Sequence, residues 1–212
     1  MTAEAHGRLS PPGPPRRWIA AGVAAAVVLG AGVMLVTREL TSPAAPVPAA
    51  PAPPARAADD VVQFEDAARG ISIAYPADWQ RLPSSDPEVR LLAEGGGSSM
   101  LLRTADLGIT VGPQDLDPAK KITDGLVRAV AGMELLRPPR QVSLAGLPGY
   151  LYLYTFPDAA TLQQGAHAHY FLFRGQTMIS VVFQTVPSQR FAERAPGFDR
   201  IAETLRVTEG TG

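Results

Sequence analysis

The sequence contains no cysteine and only three histidines. Without thiols there is no disulfide framework, thiol nucleophile, cysteine metal site or acylated lipoprotein N-terminus. Excess basic charge is also missing where it would matter. Residues 59–212 hold 14 Lys/Arg against 18 Asp/Glu, a net −4, which lacks the electrostatic footprint of a nucleic-acid binder. No G-x-S-x-G run is present. Gly95-Gly96-Gly97-Ser98-Ser99 lacks the Lys-Ser/Thr ending of a phosphate loop, so a flexible hairpin loop is expected there.

Charge is wholly absent from residues 18–36, WIAAGVAAAVVLGAGVMLV. Nineteen such residues make a helix of about 28 Å, close to the hydrocarbon thickness of a bilayer. Arg8, Arg16 and Arg17 precede it, and Trp18 sits at its edge. The positive-inside bias then puts residues 1–17 in the cytoplasm, a membrane-spanning signal anchor at 18–37, and the rest outside the cell membrane. A cleavable signal peptide is the alternative, although its apolar core is usually about 7–15 residues. Residues 38–58 are rich in Pro and Ala. Such a linker favours extended polyproline II and holds the C-terminal residues up to roughly 50 Å from the membrane. It acts either as a spacer with reach or as a passive tether.

Patterned sequence begins near Asp59 and runs to about residue 208, with 209–212 expected as a disordered tail. Val61–Glu65 and Ile71–Tyr75 read as strands joined by a short connection. Pro76 cannot donate to a sheet ladder and ends the second. Ala77-Asp78-Trp79 then forms one helical turn that folds Trp79 over the strand end. Val89–Ala93, Met100–Thr104 and Leu107–Val111 are further strands. Asp117-Pro118 opens a helix, with Asp117 as its cap and Ile122, Leu126, Val127, Val130 and Met133 on one face. Gln141–Leu144, closed by Gly146-Leu147-Pro148-Gly149, is followed by the strands Tyr150–Phe156, His167–Phe173 and Thr177–Thr185, the last two flanking the turn Arg174-Gly175-Gln176. Ser188–Val207 reads as a helix interrupted at Pro196. The pattern is α+β: an antiparallel sheet packed with helices.

Two features carry candidate chemistry. His167 and His169 stand two apart on a strand and share a face. Both imidazoles can meet one metal, but a stable zinc site needs a further ligand, and Asp158 is the candidate. Two edge-of-sheet histidines are the plainer reading. Tyr150, Tyr152, Tyr154 and Phe156 form an aromatic stripe. It is either sheet surface beneath a helix or the lining of an apolar groove or protein-binding face. If the two strands are neighbours, Tyr150, Tyr152, Tyr154, His167 and His169 share one concave wall. No nucleophile–base–orienter set is recognisable, and no cofactor is indicated.

The run Gly70–Trp79, GISIAYPADW, resembles the N-terminal signature of the PsbP-like (Mog/PsbP/LpqN) superfamily: a glycine, a short apolar strand, then Tyr75-Pro76 and Trp79. HYFLFRGQTMISVVFQTVP (169–187) resembles that group's paired central strands, and Phe198–Val207 its closing helix. The resemblance spans about residues 60–208 and is nearest to actinobacterial LpqN-type envelope proteins. Those are commonly anchored through a cysteine that this chain lacks. The resemblance implies an α/β/α sandwich and a non-catalytic role. PsbP proteins support a photosynthetic membrane complex, Mog proteins bind a small GTPase, and LpqN-type proteins accompany envelope lipid transport. The expectation is therefore a membrane-anchored extracytoplasmic binding or adaptor protein. Its partner is an envelope membrane complex or a lipid. A lipid or small-molecule carrier, and an envelope hydrolase using His167 and His169, are the alternatives.

Overall fold

The computed structural model describes residues 60–208. The expected anchor at 18–37, the linker at 38–58 and the tail at 209–212 lie outside the described residues. Among the described residues no helix is long and apolar enough to cross a membrane.

The described residues open with β1 (Val61–Asp66), a 3-10 turn (Ala67–Arg69), β2 (Ile71–Pro76) and the two-residue β3 (Gln80–Arg81). Next come β4 (Val89–Gly95), β5 (Ser98–Val111), α1 (Leu116–Arg128), β6 (Glu134–Leu135) and β7 (Arg140–Leu144). The chain closes with β8 (Leu147–Asp158), β9 (Gln163–Thr185), a 3-10 turn (Ser188–Arg190), α2 (Phe191–Glu203) and β10 (Arg206–Val207). A small sheet has the order β1-β2-β10. A seven-stranded sheet has the order β3-β4-β5-β9-β8-β6, with β7 also paired to β8. Every pairing is antiparallel.

β9 doubles back at Gly175, whose φ is 57°. Its first arm pairs with β8 and its second with β5, and His167 Nε2 reaches Gln184 Oε1 across the arms at 2.9 Å. Both arms are therefore central, and because the sheet is covered on both faces, side chains of either parity are buried along them.

The large sheet lies between two cores. On one face Met100, Leu102, Tyr170, Leu172, Ile179, Val181 and Phe183 pack against Ile71 and Ile73 of β2 and against Phe198 and Ala202 of α2. On the other, Tyr150, Tyr152, Tyr154, Phe171, Phe173 and Met178 pack against Leu116, Ala119 and Val127 of α1. The α/β/α layering is present, and the small sheet shares the layer of α2.

The turn after β2 is closed by Trp79 N–H donating to Pro76 O at 3.0 Å. Trp79 packs against the first core. Its ring lies over Gly95, where a Cβ would stand 2.5 Å from Trp79 Cδ1. Tyr75 is buried in the same core.

Several expected boundaries shift. The hairpin turn after β4 narrows to Gly96-Gly97, at φ 60° and 76°, because β4 and β5 pair as far as Gly95 and Ser98. Met100–Thr104 and Leu107–Val111 belong to one strand, β5, with a register shift between Asp106 and Val111. α1 begins at Leu116, so Asp117 lies in its first turn. Asp115 takes the cap position, its carboxylate accepting from Gly112 N–H at 2.9 Å. The buried line of α1 is Leu116, Ala119, Thr123 and Val127, rather than one through Ile122. Gly149, expected in a turn, lies inside β8. A Cβ there would sit 2.0 Å from Phe171 O, so close backbone approach requires the glycine. α2 runs through Pro196 without interruption, with Phe198 and Ala202 buried beyond it.

Candidate functional site

The register of β8 against β9 sets Tyr150 opposite Phe171, Tyr152 opposite His169 and Tyr154 opposite His167. Side chains of one parity share a sheet face. The five residues singled out in the sequence are thus brought together, with Phe171 among them.

They do not form an open wall. Tyr154 is 0% exposed and Tyr152 1%, and Tyr150, His167 and His169 are also buried. The physical reason is α1, whose apolar side closes over the stripe. The tyrosine hydroxyls are part of that closure. Tyr150 Oη–H donates to Leu116 O at 3.2 Å. Tyr152 Oη–H donates to Asp124 Oδ1 at 2.7 Å, and Thr123 Oγ1 lies 2.7 Å from the same phenol oxygen. Phenylalanine at either position would lose these bonds to the helix. Asp124 also binds Lys120 Nζ through both oxygens, at 2.9 and 2.8 Å. Burial raises the pKa of the Asp124 carboxyl. The hydrogen bonds from Lys120 and Tyr152, with the Lys120 and Arg128 charges, outweigh this and hold it below the usual range. Burial, helped by Asp124, pushes the Tyr152 phenol above its ordinary pKa.

The third tyrosine turns away from the helix into the histidine pair. Its hydroxyl lies 2.9 Å from His167 Nδ1 and 3.3 Å from His169 Nδ1. Gln184 Oε1 accepts from His167 Nε2–H at 2.9 Å. His167 Nδ1 is then a bare acceptor, and Tyr154 Oη–H donates to it. The Tyr154 oxygen in turn accepts from His169 Nδ1–H, which leaves a lone pair on His169 Nε2. That nitrogen is buried without a hydrogen-bond partner among the described residues. It borders a cavity of about 10 Å³, room for a single water, lined by Leu101, Leu126, Phe171, Met178 and Val182 among others.

Burial pushes the His167 pKa down to about 4, against the opposing effects of Gln184 and the Asp158 charge. Burial, with repulsion from His167 and Arg103, holds His169 well below the ordinary histidine range. Both rings are neutral near pH 7. Their faces are covered as well: His169 stacks on Phe171 at 3.8 Å between centroids, and His167 lies tilted against Phe156 at 4.2 Å.

Among the described residues no three His, Cys, Asp or Glu side chains stand close enough to share a metal ion. Asp158, the candidate third ligand, accepts from Thr161 N–H at 2.9 Å and from Thr161 Oγ1–H at 2.6 Å, closing the turn between β8 and β9. Neither histidine hydrogen-bonds a serine or a carboxylate among the described residues.

Sequence reasoning missed Gln184, Thr123 and Asp124. Gln184 carried a signal, being the lone amide in the apolar run Met178–Phe183 and Thr185, with the parity of Ser180 and Val182. Thr123 and Asp124 look like ordinary helix-surface residues until the tyrosines beneath them are in place.

No family model and no curated protein matches the sequence. Solved structures do. PsbP from the cyanobacterium Synechocystis is similar with a TM-score of 0.52 at 14% identity, over 70% of this chain and 92% of that one. LpqN of Mycobacterium tuberculosis, described as involved in cell envelope biogenesis, gives 0.48 at 15% identity, over 71% and 86%. The Ran-binding protein Mog1p of Saccharomyces cerevisiae gives 0.48 at 12% identity, over 71% and 96%. The likeness is one of fold: residues 60–208 adopt the PsbP-like fold.

Proposed function

We propose that the chain is a membrane-anchored, extracytoplasmic, non-catalytic binding or adaptor protein of the cell envelope. The uncharged stretch at 18–36 and the Pro/Ala-rich segment after it support the anchor and tether. One structural observation carries the rest. The tyrosine and histidine groups best suited to chemistry are spent on internal hydrogen bonds, Tyr150 and Tyr152 to α1 and Tyr154 and His167 within the sheet. Function then falls to the outer surface, in the manner of a rigid body presented near a membrane partner.

A carrier role would use the space between the sheet and α1, where the cavity beside His169 lies. At about 10 Å³ it is far smaller than an acyl chain. Carriage would need Leu126 and its helix to move aside, and lipid recovered with the purified chain would favour it.

The test is crosslinking and pull-down in host cells, comparing the full chain with one ending at Ala58. The proposal predicts proteins captured only when residues 59–212 are present. An identical catch from both chains would overturn the adaptor reading.

A further inference from the structure

A cleft lies away from the histidines, at the β3–β4 edge of the large sheet. It has a volume of about 360 Å³ and is lined by Arg81, Leu82, Pro83, Ser84, Val89, Arg90 and Leu92. The segment after β3 forms one wall, held to β4 by Leu82 N–H donating to Leu92 O at 2.8 Å.

Two arginines from different elements face this cleft, and both are held in place. The Arg81 guanidinium lies over the Phe64 ring, 5.2 Å from its centroid. Arg90 Nε–H donates to Thr104 Oγ1 at 3.0 Å, so its terminal nitrogens remain free. The β4–β5 register shift between Val89 and Leu91 falls at Arg90 itself. A bulge of this kind re-aims a side chain.

Neither arginine has a carboxylate within 4.0 Å among the described residues. Three nearby acids are directed elsewhere. Asp86 and Glu88 both bind Arg103, Asp86 at 3.4 Å. Glu94 pairs with Gln80, one residue out of phase with the Arg81–Ala93 pair, so it belongs to the opposite face. Ser84 Oγ accepts from Asp86 N–H at 3.2 Å, which leaves its own proton free to donate.

We propose that this cleft is an anion site for a phosphate group, held between the Arg81 and Arg90 guanidinium groups with Ser84 as a further donor. Two planar, permanently charged forks suit a phosphate better than a single carboxylate, which one arginine would satisfy. The volume lies at the lower end of small-molecule sites, roughly 300–1,000 Å³. The phosphate comes either from a free small anion or from a lipid headgroup.

The experiment uses the full chain in a non-ionic detergent, titrated separately with inorganic phosphate and with a short-chain phosphatidylglycerol. Amide shifts of residues 81–92 are followed by NMR. The expected result is saturable shifts in that segment, weakened about tenfold by Arg81→Gln or Arg90→Gln and only partly by Arg→Lys. Arg128→Gln, on the exposed side of α1, leaves them unchanged. Unchanged thermal midpoints for the variants show that each remains folded. Tighter binding of the phosphatidylglycerol assigns the site to a headgroup, and tighter binding of inorganic phosphate assigns it to a free anion. Absence of saturable shifts with both probes, or shifts equal in wild type and the Arg81→Gln/Arg90→Gln double variant, would overturn the proposal.

Discussion

Tyr152→Ala lowers the unfolding free energy by about 3–5 kcal/mol, the usual cost of deleting a fully buried aromatic side chain. The residue is 1% exposed, and its ring meets Phe171 edge-on at 5.5 Å. The truncation also removes the phenol that Asp124 and Thr123 share. Urea denaturation of the full chain measures the loss. Tyr152→Phe separates the two contributions: it keeps the ring, removes the hydroxyl, and costs about 1–3 kcal/mol for the lost hydrogen bond to the Asp124 carboxylate, which keeps Lys120. A loss below about 1 kcal/mol for the alanine variant would mean that α1 does not seal this face. The expected size has a practical consequence. Binding lost in Tyr152→Ala cannot be read as loss of a contact, because much of a domain's stability, typically 5–15 kcal/mol, goes with it.

Acid is the second large perturbation. Unfolded histidine has a pKa near 6.5, whereas His167 in the folded chain is pushed down to about 4 by burial. Between these values the unfolded state binds a proton that the folded state refuses. Stability is therefore fully present above pH 6.5 and is lost as pH falls towards 4, by about 3 kcal/mol for His167 alone. His169, held lower by burial and by the His167 and Arg103 charges, adds to the loss in the same direction. Denaturation at pH 7 and pH 4.5 should differ by about 2–3 kcal/mol or more. The difference should shrink in a His167→Gln/His169→Gln variant, even though that variant is less stable at pH 7. A stability that stays flat from pH 7 to 4.5 would contradict the burial of the pair.

Much of the fold was legible because its signals are local. Pro76 marks the end of β2, Gly175 the reversal within β9, and the apolar runs on either side of Gly175 their double burial. Boundaries were harder to read where pairing overrides propensity. Gly149 reads as a turn residue, yet it stands inside β8 because the Phe171 carbonyl comes too close for any side chain. Pro196 reads as a helix break, yet α2 continues, with Phe198 and Ala202 packed beyond it.

The candidate site was half legible. Alternation placed Tyr150, Tyr152, Tyr154, His167 and His169 on one face, and the register of β8 on β9 brings them together. What covers that face was not readable, since it depends on where α1 folds back. The helix pattern pointed to Ile122, while the buried line runs through Thr123, whose hydroxyl serves Tyr152. A polar residue on the inner side of a helix is invisible to an apolar-face count. The Arg81–Arg90 cleft was likewise missed, because eight residues and a bulge separate the two side chains.

The claim that the histidine pair is an internal, neutral part of the core can be measured directly. Long-range ¹H–¹⁵N NMR of the imidazole nitrogens, followed from pH 7.5 downwards on the folded chain, reports protonation ring by ring. The account predicts that at pH 6 His167 and His169 each show one neutral tautomer. His167 carries its proton on Nε2 and His169 on Nδ1; His167 does not titrate until about pH 4, and His169, held down by burial, stays neutral well below the ordinary histidine range. Two rings that protonate together near pH 6.5, with the fold intact, would show an open and hydrated site and contradict it.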